Sequence, residues 1–154
     1  VDSFYNDHQS VTLSCFFQSK SIFETFVYTF NLYTRRRALW RNMASTTDNM
    51  STNWILIGDF NVVMRPEEIT GNNFYRASSN EFFSCIDQWG LVDVPISSTE
   101  FTWNRYTLNG RHARKLDRCL VQMSERGDAV DVSGLTLPRI HSDHNPLLID
   151  IWFN

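Results

Sequence analysis

One stretch constrains this chain more than any other: Trp54-Ile55-Leu56-Ile57-Gly58-Asp59-Phe60-Asn61. Its apolar first half reads as a buried strand, central in a sheet. The run breaks at Gly58 and places a carboxylate, Asp59, and an amide, Asn61, at its tip. Loops at the ends of rigid strands are where binding and catalytic groups concentrate. If the extended conformation persists past Gly58, Asp59 and Asn61 point to the same side, because strand side chains alternate with period two. The plain alternative is a turn, since Gly, Asp and Asn are all turn formers.

The remaining composition fits a single domain around that strand. A chain of 154 residues can bury a real core and is short for two domains, so residues 1–154 are read as one. Five Trp and twelve Phe make much of that core aromatic. The net charge of -3 argues against a strong, non-specific nucleic-acid binder, which needs Lys and Arg to displace counterions. It leaves room for an enzyme that holds one phosphodiester. Cys15, Cys85 and Cys119 are odd in number, far apart and without CxxC spacing. They are therefore expected to be buried core residues rather than a disulfide framework or a zinc knuckle. No apolar run approaches membrane-spanning length, no signal peptide opens the chain, and the sequon at Asn49-Met50-Ser51 reads as chance. The first residue is Val1, not Met, as expected of a fragment or a processed chain.

Along the chain, strands dominate the first third. Val11 to Phe17 and Ile22 to Phe30 are rich in β-branched and aromatic residues, with Gln18 to Ser21 as the turn of a hairpin. The segment TRRRALWRNM then changes period. Leu39, Trp40 and Met43 fall at helical spacing, with arginines for the exposed side. The polar stretch STTDNMST is a loop before Trp54, and another long loop follows Asn61 through Pro66 and Gly71. NEFFSCIDQWG predicts a second helix, capped by Asn80, buried through Phe82, Ile86 and Trp89, and stopped by Gly90. Strands are expected at LVDV, FTW, KLDRCLV, LTLPRI and PLLIDIWF. Mixed strands with two separate helices read as a layered α/β or α+β domain.

Three polar clusters fall at strand boundaries: Gly58 to Asn61, Lys115 to Arg118, and Ser142 to Pro146. Asp59 and Asp143 offer hard oxygen ligands of the kind Mg²⁺ takes alongside water and substrate phosphate. His144 has the intrinsic pKa for acid–base work or for contacting a phosphate oxygen. Asp117 can accept from one of its ring nitrogens, fixing the tautomer and favouring the imidazolium. Asn61 can donate to a phosphate or orient a water. For each cluster a structural role is also open: local turns at GDFN and SDHNP, and an ion pair to a nearby Arg for Asp117. The occurrence of all three at strand boundaries favours a shared site.

Taken in order, Tyr28 in FVYTFN, then IGDFN, FTWNR, KLDRCLV and SDHNPL resemble the endonuclease/exonuclease/phosphatase superfamily. This is the group of DNase I, exonuclease III and the apurinic/apyrimidinic endonucleases. VY before RRRALW, GDFNVV before PEE, and FTW before LDR look especially like the endonuclease domains of plant LINE-type retrotransposons. The resemblance runs from about Val11 to the end of the chain. It implies a four-layer αββα sandwich of the DNase I-like type, with a metal-dependent site at one end of the sheets. Asp59 would orient the attacking water and Asn61 would bind the phosphate. His144, oriented by Asp117, would contact the phosphate as general base or transition-state stabiliser. Asp143 would be a metal ligand or lie just behind one, and Tyr28 would donate to a phosphate oxygen. The choice of base between Asp59 and His144 stays open.

The implied cofactor is Mg²⁺ or Mn²⁺ and the implied partner is DNA, with no membrane. The reverse-transcriptase region of the same polyprotein is a further implied partner, and the cellular setting stays open between the nucleus and other intracellular compartments. The resemblance also implies an Asn and the principal metal-binding Glu on strands that precede Tyr28, and this chain begins after both. Glu24 shares a strand with Tyr28, and Glu67 and Glu68 follow GDFN, so none replaces it. Thr29 stands where relatives often carry a small residue. The 154 residues are thus expected to be the C-terminal portion of a domain, incomplete at its N-terminus, with exposed sheet and little or no nuclease activity alone. Two contrasting readings are a catalytically inactive, element-derived remnant or binding protein that keeps the fold, and an enzyme of the same superfamily acting on a small phosphoester.

Overall fold

The structure is a computed structural model that describes residues 2–17, 20–47, 53–122 and 130–153. Strands β1 (Asp2–Asn6), β2 (Ser10–Phe17) and β3 (Lys20–Tyr28) lead into helix α1 (Tyr33–Thr47). β4 (Trp54–Asp59), a 3-10 turn at Pro66–Glu68 and helix α2 (Arg76–Gln88) follow. Then come β5 (Leu91–Asp93), β6 (Ile96–Ser97), β7 (Trp103–Thr107), β8 (Gly110–Arg114), β9 (Asp117–Gln122), β10 (Val130–Thr136) and β11 (Leu147–Phe153).

The buried strand expected at Trp54 is central, as its composition requires. It lies in a six-stranded sheet of order β1-β2-β3-β4-β9-β5, parallel to β3 and antiparallel to β9. Successive side chains leave it on opposite faces. Trp54 and Leu56 join Leu39, Trp40 and Met43 of α1 and Phe82 and Ile86 of α2 in an aromatic core. Ile55 faces the other way and packs with Ile22 and Cys119 against Val132, Ile149 and Ile151 of a three-stranded sheet, β11-β10-β6. Helices, large sheet and small sheet make three of the four expected layers. Among the described residues no helix covers the outer face of the small sheet, where Leu148 and Trp152 stand exposed. The small sheet does not reach the far end of β3, so Phe26 is half-exposed and Tyr28 is 75% exposed.

Several expectations need correction. Helix α2 starts at Arg76, four residues before Asn80, which is exposed within the helix and caps nothing. Ser78 and Ser79 look like loop formers but are buried and spend their hydroxyls on tertiary partners. Ser78 Oγ accepts from Arg36 Nη2 at 2.6 Å, and Ser79 Oγ donates to the Val63 carbonyl at 2.6 Å. Arg36 is itself buried rather than exposed with the other arginines of α1. FTW is the root of a β7–β8 hairpin, not an isolated strand, and β10 ends at Thr136 before Pro138, which has no N–H for a ladder. Cys119 is fully buried, whereas Cys15 and Cys85 are only half-buried. The expected loop STTDNMST begins inside α1, which runs to Thr47, while residues 48–52, with the sequon at Asn49, lie outside the described residues. Residues 18–19 of the hairpin turn also lie outside them.

Gly58 is the position where the backbone admits no side chain. Its φ is +142°, and an added Cβ would come within 2.0 Å of the Val27 carbonyl oxygen. Both the torsion and the close approach of β3 exclude an L side chain. Gly58→Ala is expected to destabilise the fold by roughly 2–4 kcal/mol, a fall in Tm of roughly 5–15 °C in a thermal melt. An unchanged Tm would show that β3 and β4 can separate here at no cost.

Candidate active site

Register brings the predicted residues to one rim. Tyr28 ends β3 beside Asp59, which ends β4, and Asp59 pairs with Asp117, which opens β9. Past Asp59 the strand does not stay extended. Asn61 adopts a left-handed φ of 49°, and it meets Asp59 by turning back rather than by alternation. Its backbone N–H donates to Asp59 Oδ1 at 2.8 Å and its side-chain Nδ2 to Asp59 Oδ2 at 2.9 Å. GDFN is therefore a turn closed by Asp59 on its own backbone, and it lies at the rim of the candidate site. Asn61 Nδ2 also donates to the Thr29 carbonyl at 2.8 Å, tying this turn to the end of β3.

The loop that carries His144 is pinned to β7. Asn104 N–H donates to the Asp143 carbonyl at 2.9 Å, Asn145 N–H donates to the Thr102 carbonyl at 2.7 Å, and Trp103 bridges His144. His144 Nδ1 lies 2.9 Å from Asp117 Oδ2, the pair expected from LDR and SDHNP. One ligand atom each from Asp59, Asp117 and His144 falls within 4.8 Å of the others. A cleft of about 290 Å³, lined by Gly58, Asp117, Ser142 and His144 among others, opens the cluster to solvent. Asp143 stands apart from the cluster, its Oδ2 accepting from the Trp103 indole N–H at 2.8 Å. Tyr28 is exposed at the same rim.

The electrostatics follow from burial and pairing. Burial is the main reason that Asp59 is pushed up to about 6, with Asp117 raising it further and the Asn61 N–H, His144 and Arg36 opposing. The hydrogen bond to Asp117 is the main reason that His144 is raised above its ordinary value, with burial opposing and the charges of Asp117, Asp59 and Asp143 adding. The Trp103 indole holds Asp143 below the usual carboxylate range. Two carboxylates beside an imidazole form a donor set that fits one hard divalent cation, which commonly takes one or two protein carboxylates and fills its shell with water and phosphate.

Three supporting groups were not singled out in the sequence, and two of them carried no signal of their own. Thr102 is buried, and its Oγ1 accepts from the N–H groups of Leu116 and Asp117, fixing where β9 begins. Trp103 holds Asp143, as above. Arg118, inside an apolar strand and 0% exposed, binds Glu68 of the 3-10 turn and Asp93 of β5. The charge of Arg118 within KLDRCLV is the one hint the sequence offered, because a guanidinium in a buried strand requires buried acids.

Fold and site together define a class: a two-sheet sandwich with helices on the large sheet and an Asp/Asn/His cluster on one rim. Solved structures share this fold over nearly the whole chain. The endonuclease domain of TRAS1, a telomere-specific non-LTR retrotransposon, superposes at a TM-score of 0.75 with 14% identity, over 93% of this chain and 63% of that one. The 3' phosphatase NExo from Neisseria, bound to a product DNA hairpin, gives 0.66 with 15% identity over 95% and 65%. The AP endonuclease LMAP from Leishmania major gives 0.66 with 17% identity over 95% and 55%. An endonuclease/exonuclease/phosphatase family protein from Leptotrichia buccalis also shares the fold, at 0.58 and 16% identity. The chain thus has the fold its motifs implied, and it spans less than two thirds of the length of each of these structures. No family model matches the sequence, and no curated protein matches it.

His144 should titrate above 6.5 by NMR, and Asp117→Asn should bring its pKa down to that value or below. Because the folded value is raised, the pair stabilises the fold below the unfolded pKa, and that contribution is lost as pH rises through the folded one. The Asp117→Asn penalty in Tm should therefore be larger at pH 6 than at pH 9. An unchanged His144 titration would exclude the hydrogen bond as the cause.

Proposed function

We propose that this chain carries the phosphate-binding part of a Mg²⁺- or Mn²⁺-dependent phosphodiesterase, a nucleic-acid endonuclease of the retrotransposon type. The observation that carries the reading is the gathering of Asp59, Asp117 and His144 within 4.8 Å at the rim of the sheet. Asp117 occupies Nδ1 of His144 and leaves Nε2 for substrate. With its pKa raised, His144 is suited to donate to a phosphoryl oxygen, and Asp59, at about 6, is ionised near neutral pH and suited to orient the attacking water. Asn61, whose two amide N–H groups are held by Thr29 and Asp59, would bind the phosphate by turning the second of them from Asp59 to a phosphate oxygen, and Tyr28 reaches a phosphate oxygen from the end of β3. Asp59 and Asp117, with Asp143 nearby, supply the carboxylates for the cation. When bound, the cation neutralises charge developing on the phosphoryl oxygens.

The reading includes a further metal-binding carboxylate outside these 154 residues. The exposure of Phe26 and Tyr28 on β3 and the 63% coverage of the TRAS1 domain support it. The β7–β8 hairpin supports a nucleic-acid substrate. Its root holds Asp143 and His144, and its arm carries Arg105 and Arg111 and two exposed apolar side chains, Tyr106 and Leu108. Such an arm is placed to lie against a strand whose phosphate sits at the rim.

Titration with Mn²⁺ tests the metal site: NMR signals of Asp59, Asp117 and His144 should broaden before those elsewhere, and broadening confined to other residues would favour a non-enzymatic binding protein. Incubated with supercoiled plasmid and Mg²⁺, the chain should nick little or not at all. Nicking that is lost with chelator and with Asp59→Ala would show that no outside carboxylate is needed. In an anisotropy assay with duplex DNA, replacing Tyr106 and Leu108 together by Ser should weaken binding by about tenfold. Unchanged affinity would remove the hairpin from the interface.

A further inference from the structure

On the side of the helices turned away from the large sheet, α1 and α2 leave a groove of about 500 Å³ between them. Its floor is Trp40, 7% exposed and packed on Phe82 and Trp89 with ring centroids 5.3 and 6.2 Å apart. Opposite Trp40 stand the small side chains of Ser84 and Cys85, which leave the seam open at this point. Burial, with Glu81 adding to it, pushes the Cys85 thiol up to about 11, so it stays neutral and serves as apolar wall. Phe83, 54% exposed, lies one turn from Asn80 on the same side of α2 and extends the apolar surface. The groove shares no residue with Asp59, Asp117 and His144.

The edges of the groove carry charge, and unevenly. Glu81 accepts from Arg37 Nε at 3.1 Å through each of its oxygens, and also from Nη2, so these two charges cancel. Arg41, one turn further along α1, is exposed and has no hydrogen bond or ion pair among the described residues. Asp87, the next acid of α2, lies outside the lining. One positive charge is thus left over beside an apolar floor, in a chain whose net charge is -3. A nucleic-acid strand matches this poorly. Such a strand gains by meeting several cations, and here a single unpaired one has a carboxylate beside it. Trp40, almost wholly covered, has no face free for a base.

We infer that this groove docks an acidic amphipathic helix of a protein partner, with apolar residues over Trp40 and Cys85 and a carboxylate on Arg41. Two neighbouring helices form the kind of channel in which a third lays its apolar face, anchored by residues three or four apart. Arg37 to Arg41 covers about 6 Å along α1, enough for two such anchors. The docking does not depend on the phosphodiesterase reading, and neither falls with the other.

The probe is an amphipathic peptide of Leu and Glu, about 15 residues long so that it can hold a helix, beside a counterpart with every Glu replaced by Lys. Titrated into the labelled protein and followed by NMR, the acidic peptide should shift the amides of Arg41, Asn80 and Ser84 with a Kd on the order of 100 μM. The Lys peptide should bind at least about tenfold more weakly, and Arg41→Glu should reverse that preference. Ser84→Phe, which fills the groove from an exposed helical position, should abolish binding of the acidic peptide with Tm unchanged. Equal affinity for the two peptides, or no reversal with Arg41→Glu, overturns the charge match and the proposal with it. An acidic peptide that fails to bind, that shifts only residues outside the groove, or that binds Ser84→Phe as it binds the wild type overturns the docking site. If a single-stranded oligonucleotide shifts Arg41 and Ser84 and displaces the peptide, the face belongs to nucleic acid and the protein partner is excluded.

Discussion

Asp59 lies directly opposite Asp117 across β4 and β9, and like charges facing one another across a strand pair repel. Burial makes the opposition costlier, because Asp59 is pushed up to about 6 mainly by loss of water. An acid raised by about two pH units withholds on the order of 2–3 kcal/mol from the fold when it is ionised. The sign is fixed: the cost is absent below the unfolded pKa, near 4, and fully present once pH has risen past about 6. Much of the surrounding structure offsets this one contact. Asn61 turns back to donate twice to Asp59, His144 shares its proton with Asp117, and Thr102 takes the two N–H groups that open β9. A fold that tolerates such a pair holds a place where a cation or a proton is worth more than it would be in water.

The same balance explains what could be read from the sequence. GDFN, LDR and SDHNP were legible because each puts polar groups where a buried strand should begin or end, and a strand end leaves few places for them to go. Core positions were legible for a similar reason: Leu39, Trp40 and Met43, and Phe82, Ile86 and Trp89, follow the helical period, and all are buried. What escaped was set by partners distant in sequence. Ser78 and Ser79 start a helix instead of a loop because Arg36, 42 residues before Ser78, and Val63, 16 before Ser79, use their hydroxyls. Thr102 and Trp103 appear as parts of a short strand, and only the return of the chain at Asp143 gives them roles. The meeting of Asp59 with Asn61 was foreseen from strand alternation, but it is made by a left-handed residue.

Arg118 shows how the rim is kept rigid from behind. It follows Asp117 directly, so its side chain leaves β9 on the opposite face. There it joins the 3-10 turn through Glu68 and β5 through Asp93, and Lys115 reaches Asp93 at 2.8 Å. Glu68 in turn accepts the Met64 N–H at 2.6 Å, in the segment that leads away from Asn61. Breaking a buried pair strands a charge and costs several kcal/mol, so these elements are coupled to the start of β9. A displaced Asp117 would carry His144 with it, and the proposed phosphate chemistry depends on placement to within about an ångström.

The net charge of -3 and the proposed nucleic-acid substrate are reconciled by arrangement rather than by amount. Twelve of the fourteen basic residues are arginines, and several lie on aromatic faces: Arg35 over Phe30, Arg76 over Phe74, Arg111 over Phe101 and Arg114 over Trp103. Stacking orders a guanidinium before ligand arrives, so less entropy is lost on binding phosphate than a free Lys would lose. Asp59 and Asp117 are gathered at the rim, and Glu68 and Asp93 are drawn into ion pairs with Arg118 and Lys115. A surface built this way gains little from long-range attraction and much from a few fixed donors at set positions. Its affinity would depend on where each phosphate falls more than on how many are present, which is the difference between holding a strand and holding it in register.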